Sequence, residues 1–509
     1  HTSFVLFQGY MFFLTAIIIF LPTLLMGALF PVITGLWSNR KGAVGQGVGE
    51  AYGANAIGTI AGSAIGGLFI LDFLGITGSL YMASAVSMLV AVIFWFMSSP
   101  GRPITYRLLQ LSSAATLLVL VIQVLPGWDR DILQAQVFRN ADRYLGEDIR
   151  GAIKKYMRNK QFIYYKEGIH GTISVISWKD GGIQRKAMLN NGKVDASSHS
   201  DAATQILLGQ IPMFLHEAPK QVMVIGQGSG MTAGTVLQNP VVENLDFLEI
   251  SPEVVEASDH FREESHDVLN NPRTRLIVAD GRNYLLASDA KYDVIVSEPT
   301  HPWVSGVSNL FTREFFQLAK GSLNENGILA QWCNLYGMNP DSLKALLRSI
   351  ADVFPNYTLW YGGSSDIIIV SSNEPLNLDY QEKLAYLETP GIRVELQRID
   401  IDSVEEMMNH IITSSDHTGE LLTGQEPNTD DNAVIEFSAP KYLYERTTGE
   451  NYTMLFNELP AGGYSLPVSN LVRESEAQID VPFMGIRLVH EGDDYSGPGW
   501  DVVRRMVYN

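Results

Sequence analysis

The first 126 residues of this 509-residue chain hold only six charged side chains: Arg40, Lys41, Glu50, Asp72, Arg102 and Arg107. That segregation constrains the fold more than any motif does. Four apolar stretches, about 10–36, 51–71, 76–97 and 105–125, are each long enough to cross a bilayer core as a helix, which takes roughly 20 residues. A secretory signal is shorter and comes singly, so that reading fails. The rest of the chain carries 32 of the 36 basic and 53 of the 55 acidic residues. An apolar quarter is therefore joined to an acidic, water-facing three-quarters. The chain opens on His1 and enters an apolar stretch at once, so an upstream segment is expected.

Within the apolar quarter, Pro22 and Pro31 predict kinks in the first span. Gly58, Gly62 and Gly66 form small-xxx-small steps in the second, which let helix backbones approach closely. Packing within the molecule is favoured over a dimer contact or a transport path. The acids Glu50 and Asp72 fall at span ends, so no ion path is indicated. Sidedness stays open. Arg40, Lys41, Arg102 and Arg107 mark one side as cytoplasmic, yet seven basic residues between 139 and 160 lie on the other and suit anionic lipid.

The acidic balance argues against a nucleic-acid partner, which needs a basic footprint. It suits cationic ligands such as polyamines, and a surface merely kept soluble explains it equally well. The single Cys333 excludes an internal disulfide and a thiolate metal site, and no metal ion is expected.

Residues 127–160 read as a juxtamembrane linker helix. Residues 161–199 read as a small antiparallel sheet with turns such as Lys179-Asp180-Gly181-Gly182. From about 200 to 440 strands alternate with helical stretches, which predicts a parallel sheet with right-handed crossovers. Residues 441–509 are rich in Tyr, Gly and acids, a wrapping tail or a partner-binding arm.

Sheets of this kind bind ligands beyond the carboxyl ends of their strands. There the chain places Gly226-Gln227-Gly228-Ser229-Gly230, then Glu249, Asp280-Gly281, Glu298, and Gln331-Trp332. The glycines permit a tight turn and a close ligand approach. Glu249, about twenty residues on, suits ribose hydroxyls, and Asp280 an adenine amino group. The set predicts an adenosine ligand. Gln331 and Trp332 either wall an acceptor pocket or pack the core.

Here the motifs resemble the spermidine synthase (polyamine aminopropyltransferase) family. They are L-N-N-G-K-V-D-A-S (189–197), V-M-V-I-G-Q-G-S-G, L-E-I-S-P-E-V-V-E (248–256), A-D-G-R-N-Y-L, Y-D-V-I-V-S-E-P and N-L-F-T-R-E-F-F (309–316). With the spans and N-T-D-D-N (428–432), the chain resembles the membrane-fused branch of that family. The resemblance implies a Rossmann-like sheet of the class I methyltransferase type behind a small antiparallel sheet. It also implies aminopropyl transfer from decarboxylated S-adenosylmethionine to an amine such as putrescine. By it, Gly226, Gly228, Ser229, Gly230, Glu249, Asp280 and Gly281 hold the donor. Asp201, Gln205, Gln331 and Trp332 would meet the acceptor, and Glu298 and His301 would carry the chemistry.

Three departures stand out. The family's glycine loop has an aspartate where Ser229 stands. Its D-S-S-D-P loop is here Glu298-Pro299-Thr300-His301-Pro302. No tyrosine accompanies Asp201 and Gln205 in the segment 198–205. The expected protein is a multi-pass bacterial inner-membrane transferase, a homodimer or part of a membrane complex in contact with lipid. The alternatives are an S-adenosylmethionine-dependent methyltransferase and a non-catalytic membrane scaffold with a vestigial nucleotide fold.

Overall fold

The computed structural model describes residues 2–98, 103–106, 108–109, 111–113, 115–116, 129–135, 148–363, 365–457 and 468–469. The chain divides into two compact units, His1–Asp129 with Glu167–Ile169, and Arg130–Lys166 with His170–Asn509.

The first unit is helical: α1 (Thr2–Lys41), α2 (Val44–Ile65) and α3 (Leu71–Ser98), with a π-helical turn at Gly66–Ile70. Three segments, Phe4–Asn39, Val44–Ile70 and Phe73–Trp95, are long and apolar enough to cross a membrane. Large apolar side chains such as Phe12, Ile18, Ile57 and Phe73 stand exposed on them. A surface of that kind is stable against lipid and costly against water. α1 continues through Pro22 and Pro31, while α3 breaks its helical geometry at Gly75. A Cβ on Gly58, Gly62 or Gly66 would meet nothing within 4 Å. The intramolecular packing expected of these glycines is thus not made among the described residues. The fourth apolar stretch lies mostly outside them.

The second unit starts with an antiparallel sheet in the order β1 (Lys160–Glu167), β2 (Thr172–Asp180), β3 (Ile183–Asn190), β4 (Lys193–Ser197). Its tight hairpins fall at Gly181-Gly182 and Asn191-Gly192, whose positive φ angles match the right-handed strand twist. Helix α4 (Ala202–Leu215) follows. Thr204 through Leu215 are all buried, because α4 packs inside the domain rather than on its surface.

The main sheet has eight strands. They are β5 (Gln221–Ile225), β6 (Asn244–Glu249), β7 (Thr274–Val278), β8 (Tyr292–Ser297), β9 (Leu323–Asn334), β10 (Asn356–Gly363), β11 (Asp366–Ser372) and β13 (Ile411–Ser414), in the order β13-β10-β11-β9-β8-β5-β6-β7. A two-residue strand β12 (Leu378–Asp379) pairs with β14 (Val468–Ser469) elsewhere. β9-β8-β5-β6-β7 run parallel. β11 runs antiparallel to both β9 and β10. This is the Rossmann-like sheet of the class I methyltransferase type. The purely parallel expectation fails at β11, because the short β10–β11 connection forms a hairpin and leaves no length for a crossover helix.

Both faces of the sheet are covered, which explains the unbroken apolar run of β5: Val222, Met223 and Val224 are fully buried. Phe311, Phe315, Phe316 and Phe354 pack on one face, and Phe214, Phe247 and Trp360 on the other. Asn428 ties the later chain to this core. Its side-chain amide donates to the Phe311 carbonyl at 2.9 Å, and its backbone N–H donates to Ser349 Oγ at 2.8 Å. Helix Thr448–Asn457 is held the same way, with Asn451 donating to the Leu335 and Met338 carbonyls at 2.7 Å.

Candidate active site

The carboxyl ends of β6, β7, β5, β8 and β9 meet the start of β11 along one edge of the sheet. Together with β4 and α4 they enclose a cavity of about 500 Å³. A backbone polar group left facing such a cavity needs a partner, and the loops supply fixed ones. Glu249 accepts from the backbone N–H groups of Gln227 and Ser251, both at 2.9 Å, so its carboxylate pins the loops after β5 and β6 together. Burial raises its pKa and those N–H groups pull it back. Asp280 caps helix Gly281–Ala287, accepting from Asn283 N at 2.7 Å. Its carboxylate lines the cavity beside Gly281.

The glycine loop is shaped by contact as much as by conformation. Gly226 has φ +92°, and a Cβ there would lie 2.2 Å from the Glu298 carbonyl oxygen. Only glycine lets the β5 and β8 loops approach so closely. Gly226, Gln227 and Gly228 face the cavity. Ser229 and Gly230 do not line it. The Ser229 hydroxyl donates to Gln205 Oε1 and accepts from Met231 N at 3.2 Å.

At the other end the wall is acidic and aromatic. Glu298 follows β8. Burial and the negative charges of Asp201 and Asp366 push its carboxyl up to about 8. Asp366 opens β11. Burial and the Asp201 charge push it up to about 7. Asp201 precedes α4, and burial raises it too. Three carboxyls thus share one corner and disfavour each other's ionisation. His301, Trp332 and Tyr336 complete this end. The His301 ring lies 4.5 Å from Trp303, 5.5 Å from Trp332 and 5.3 Å from Tyr336. Both its nitrogens are engaged, Nε2 with the Tyr336 hydroxyl at 2.5 Å and Nδ1 with Thr300 Oγ1 at 3.2 Å.

Of the residues singled out from sequence, the structure brings Gly226, Gly228, Glu249, Asp280, Gly281, Asp201, Gln205, Glu298, His301 and Trp332 to this one cavity. Gln331 points elsewhere: it is fully buried, and its amide donates to the Trp332 carbonyl at 3.0 Å. Gln205 reaches the wall, but its amide is spent on the Ser197 and Asp201 carbonyls, both at 3.2 Å, and on Ser229. Sequence reasoning missed Asp366 and Tyr336. Asp366 carries no signal because ligand-binding residues are expected where parallel strands end, and β11 delivers its first residue. Among the described residues no three His, Cys, Asp or Glu side chains are placed to share a metal ion.

Residues 202–362 match the family described as the spermine/spermidine synthase domain. The chain carries a spermine/spermidine synthase domain. This synthase domain is 29% identical over 188 residues to a spermidine synthase of Dictyostelium discoideum, covering 36% of this chain and 66% of that one. It is 29% identical over 196 residues to a polyamine aminopropyltransferase of Methanocaldococcus jannaschii, covering 38% and 66%. The chain thus spans just under two thirds of these relatives' length. Among solved structures, the Thermotoga maritima spermidine synthase aligns with TM-score 0.37 at 25% identity, over 42% of this chain and 73% of that one. The apolar helices of residues 2–98 lie outside the synthase domain.

Proposed function

We propose that the synthase domain transfers an aminopropyl group from decarboxylated S-adenosylmethionine to a small amine, and that the apolar helices anchor it in a membrane. The observation that carries this reading is the polarity of the cavity. One end offers paired ribose- and adenine-type acceptors, Glu249 and Asp280, and the other offers the carboxyls of Glu298, Asp201 and Asp366. A cationic acceptor seated against acids and beside a nucleoside needs this layout.

The step is an in-line displacement. The amine nitrogen attacks the methylene carbon next to the sulfonium, the new N–C bond forms as the C–S bond breaks, and methylthioadenosine leaves uncharged. Holding both reactants in line supplies much of the acceleration. The attacking amine has to shed a proton. A carboxylate with an elevated pKa is a stronger base than an ordinary one, so Glu298 takes the proton. His301, with both nitrogens hydrogen-bonded, holds Tyr336 and the aromatic wall in place.

Titration calorimetry on the full chain in detergent tests this, with decarboxylated S-adenosylmethionine, S-adenosylmethionine and methylthioadenosine as separate ligands. The expected result is tighter binding of the decarboxylated donor, followed by product formation with putrescine. Preference for the carboxylated donor would support methyl transfer instead. Binding of none of the three by a folded protein would favour the scaffold.

A further inference from the structure

The basic run ahead of β1 takes no part in the cavity. Residues 149–160 hold five basic side chains, Arg150, Lys154, Lys155, Arg158 and Lys160, and no acid. They stand in a region whose acids outnumber its bases 53 to 32. The run folds as helix Ile149–Met157, capped by Asp148, whose side chain accepts from Gly151 N at 3.2 Å. The apolar face of this helix is used within the fold. Ile153 and Met157, one turn apart, are buried with Ile176 of β2 and with Ala187 and Leu189 of β3. Arg150, Lys154 and Arg158 recur at four-residue steps and share another face, with Lys155 beside them, and all four are exposed. None of the four side chains has an ion-pair or hydrogen-bond partner among the described residues. Lys160, by contrast, lies over the Tyr156 ring, 3.3 Å from its centroid.

Like charges at four-residue steps repel and cost a helix stability, so this row is unfavourable until an anionic surface neutralises it. The chain itself points to which surface. Helix Ile149–Met157 begins about 24 residues after the fourth apolar stretch, which ends near 125. Apolar helices seated in a bilayer would hold that bilayer at high effective concentration beside the basic row. Basic clusters close to membrane spans are drawn to anionic lipid. A helix that binds lipid by insertion needs its apolar face free. Here that face is buried against the small sheet, so the contact is made by charge alone and is sensitive to salt.

We infer that the exposed basic face of helix Ile149–Met157 is a docking surface for anionic lipid headgroups on the synthase domain's side of the membrane. The inference rests on the membrane-anchor part of the proposed function. Val194 of β4 packs against the same apolar cluster as the helix and also lines the cavity. Docking therefore holds a built-in part of the synthase unit against the leaflet, not a loose tail.

The test uses the full chain reconstituted into phosphatidylcholine vesicles with or without phosphatidylglycerol. A fluorophore on Asn159→Cys, exposed just past the helix, reports energy transfer to an acceptor-labelled lipid headgroup, and the buried Cys333 stays unlabelled. Transfer is expected to be higher in the anionic vesicles. It should fall to the neutral level in about 1 M salt, where the screening length is roughly 3 Å. Arg150→Gln, Lys154→Gln, Lys155→Gln and Arg158→Gln, added one after another, keep helix propensity. Each should lower the ratio of docked to undocked protein roughly five-fold, with no loss in the thermal melt in detergent. Lys154→Arg with Lys155→Arg should dock like wild type. Equal transfer in neutral and anionic vesicles, or indifference to salt and to the Gln series, overturns the surface. Single-stranded RNA bound in neutral vesicles and released in the Gln series would assign the face to a polynucleotide and overturn it too. Flotation after alkaline carbonate separates the two readings. A chain that docks on anionic vesicles with salt sensitivity but is stripped by carbonate sinks the membrane anchor and leaves the surface standing. A chain that resists stripping and ignores anionic lipid does the reverse.

Discussion

Gly226 lies so close beneath Glu298 that a Cβ on it would stand 2.2 Å from the Glu298 carbonyl oxygen. The glycine turn after β5 and the loop that carries the proposed base are thus one packed unit. Gly226→Ala should force them apart, with a stability loss of roughly 2–4 kcal/mol from overpacking and a left-handed φ. Gly228→Ala is the control. Its Cβ would meet only Ala196, at 3.5 Å, so it should lose about 1 kcal/mol from conformation alone. Thermal melts of the two variants decide this, and equal losses would discount the contact.

Glu298→Gln keeps the shape of the side chain and removes its basicity. Product formation is expected to fall roughly 10²- to 10⁴-fold, the usual worth of a positioned general base. Donor affinity should hold, since Glu249 and Asp280 lie on other strands. Single-turnover kinetics alongside calorimetry read the two quantities separately. A matching drop in both would make Glu298 a binding group only.

Asp280→Asn isolates the nucleoside end. Asparagine caps a helix as well as aspartate does, so helix Gly281–Ala287 should persist. What is lost is a charge-assisted hydrogen bond to the donor, and donor affinity should fall roughly 10- to 100-fold. Donor calorimetry on this variant is the check, and an unchanged affinity would remove Asp280 from the donor site.

The crowded carboxyls give stability a pH dependence whose sign is fixed. Glu298 and Asp366 are pushed up to about 8 and about 7, from ordinary values of 4.5 and 3.8. Between the ordinary and the raised values the folded protein binds more protons than the unfolded chain. These groups therefore favour the fold fully below about pH 4, and their contribution is lost as pH rises through 7 to 8. Melts of the ligand-free protein should show falling stability from pH 5 to 9, with a flatter profile in Glu298→Gln. A diamine should stabilise most at the alkaline end. An identical profile in wild type and variant would contradict this.

Much of the architecture was legible because its signals are periodic or compositional. Charge segregation exposed the apolar helices, and unbroken apolar runs such as Val222–Ile225 marked strands buried on both faces. The place of Gly226, Glu249 and Asp280 on one cavity wall was equally legible, since each sits where a parallel strand ends. Ser229 does not line the cavity, and Gln331 takes the second of its two expected places, in the core. Sequence places a residue on a loop or strand, but whether it faces the cavity is decided by what packs behind it. The acidic corner was legible only in part, because Asp201, Glu298 and Asp366 are far apart in sequence and meet only through tertiary packing.

The reversed direction of β11 builds the two ends of the cavity from different kinds of connection. The end that holds Glu249 and Asp280 is joined to crossovers, and any change there propagates through helices and neighbouring strands. Asp366 sits beside a hairpin tip, where residues can be exchanged or inserted at little cost to the sheet. The wall at Asp366 can therefore be altered with less disturbance to the sheet than the wall at Glu249 and Asp280.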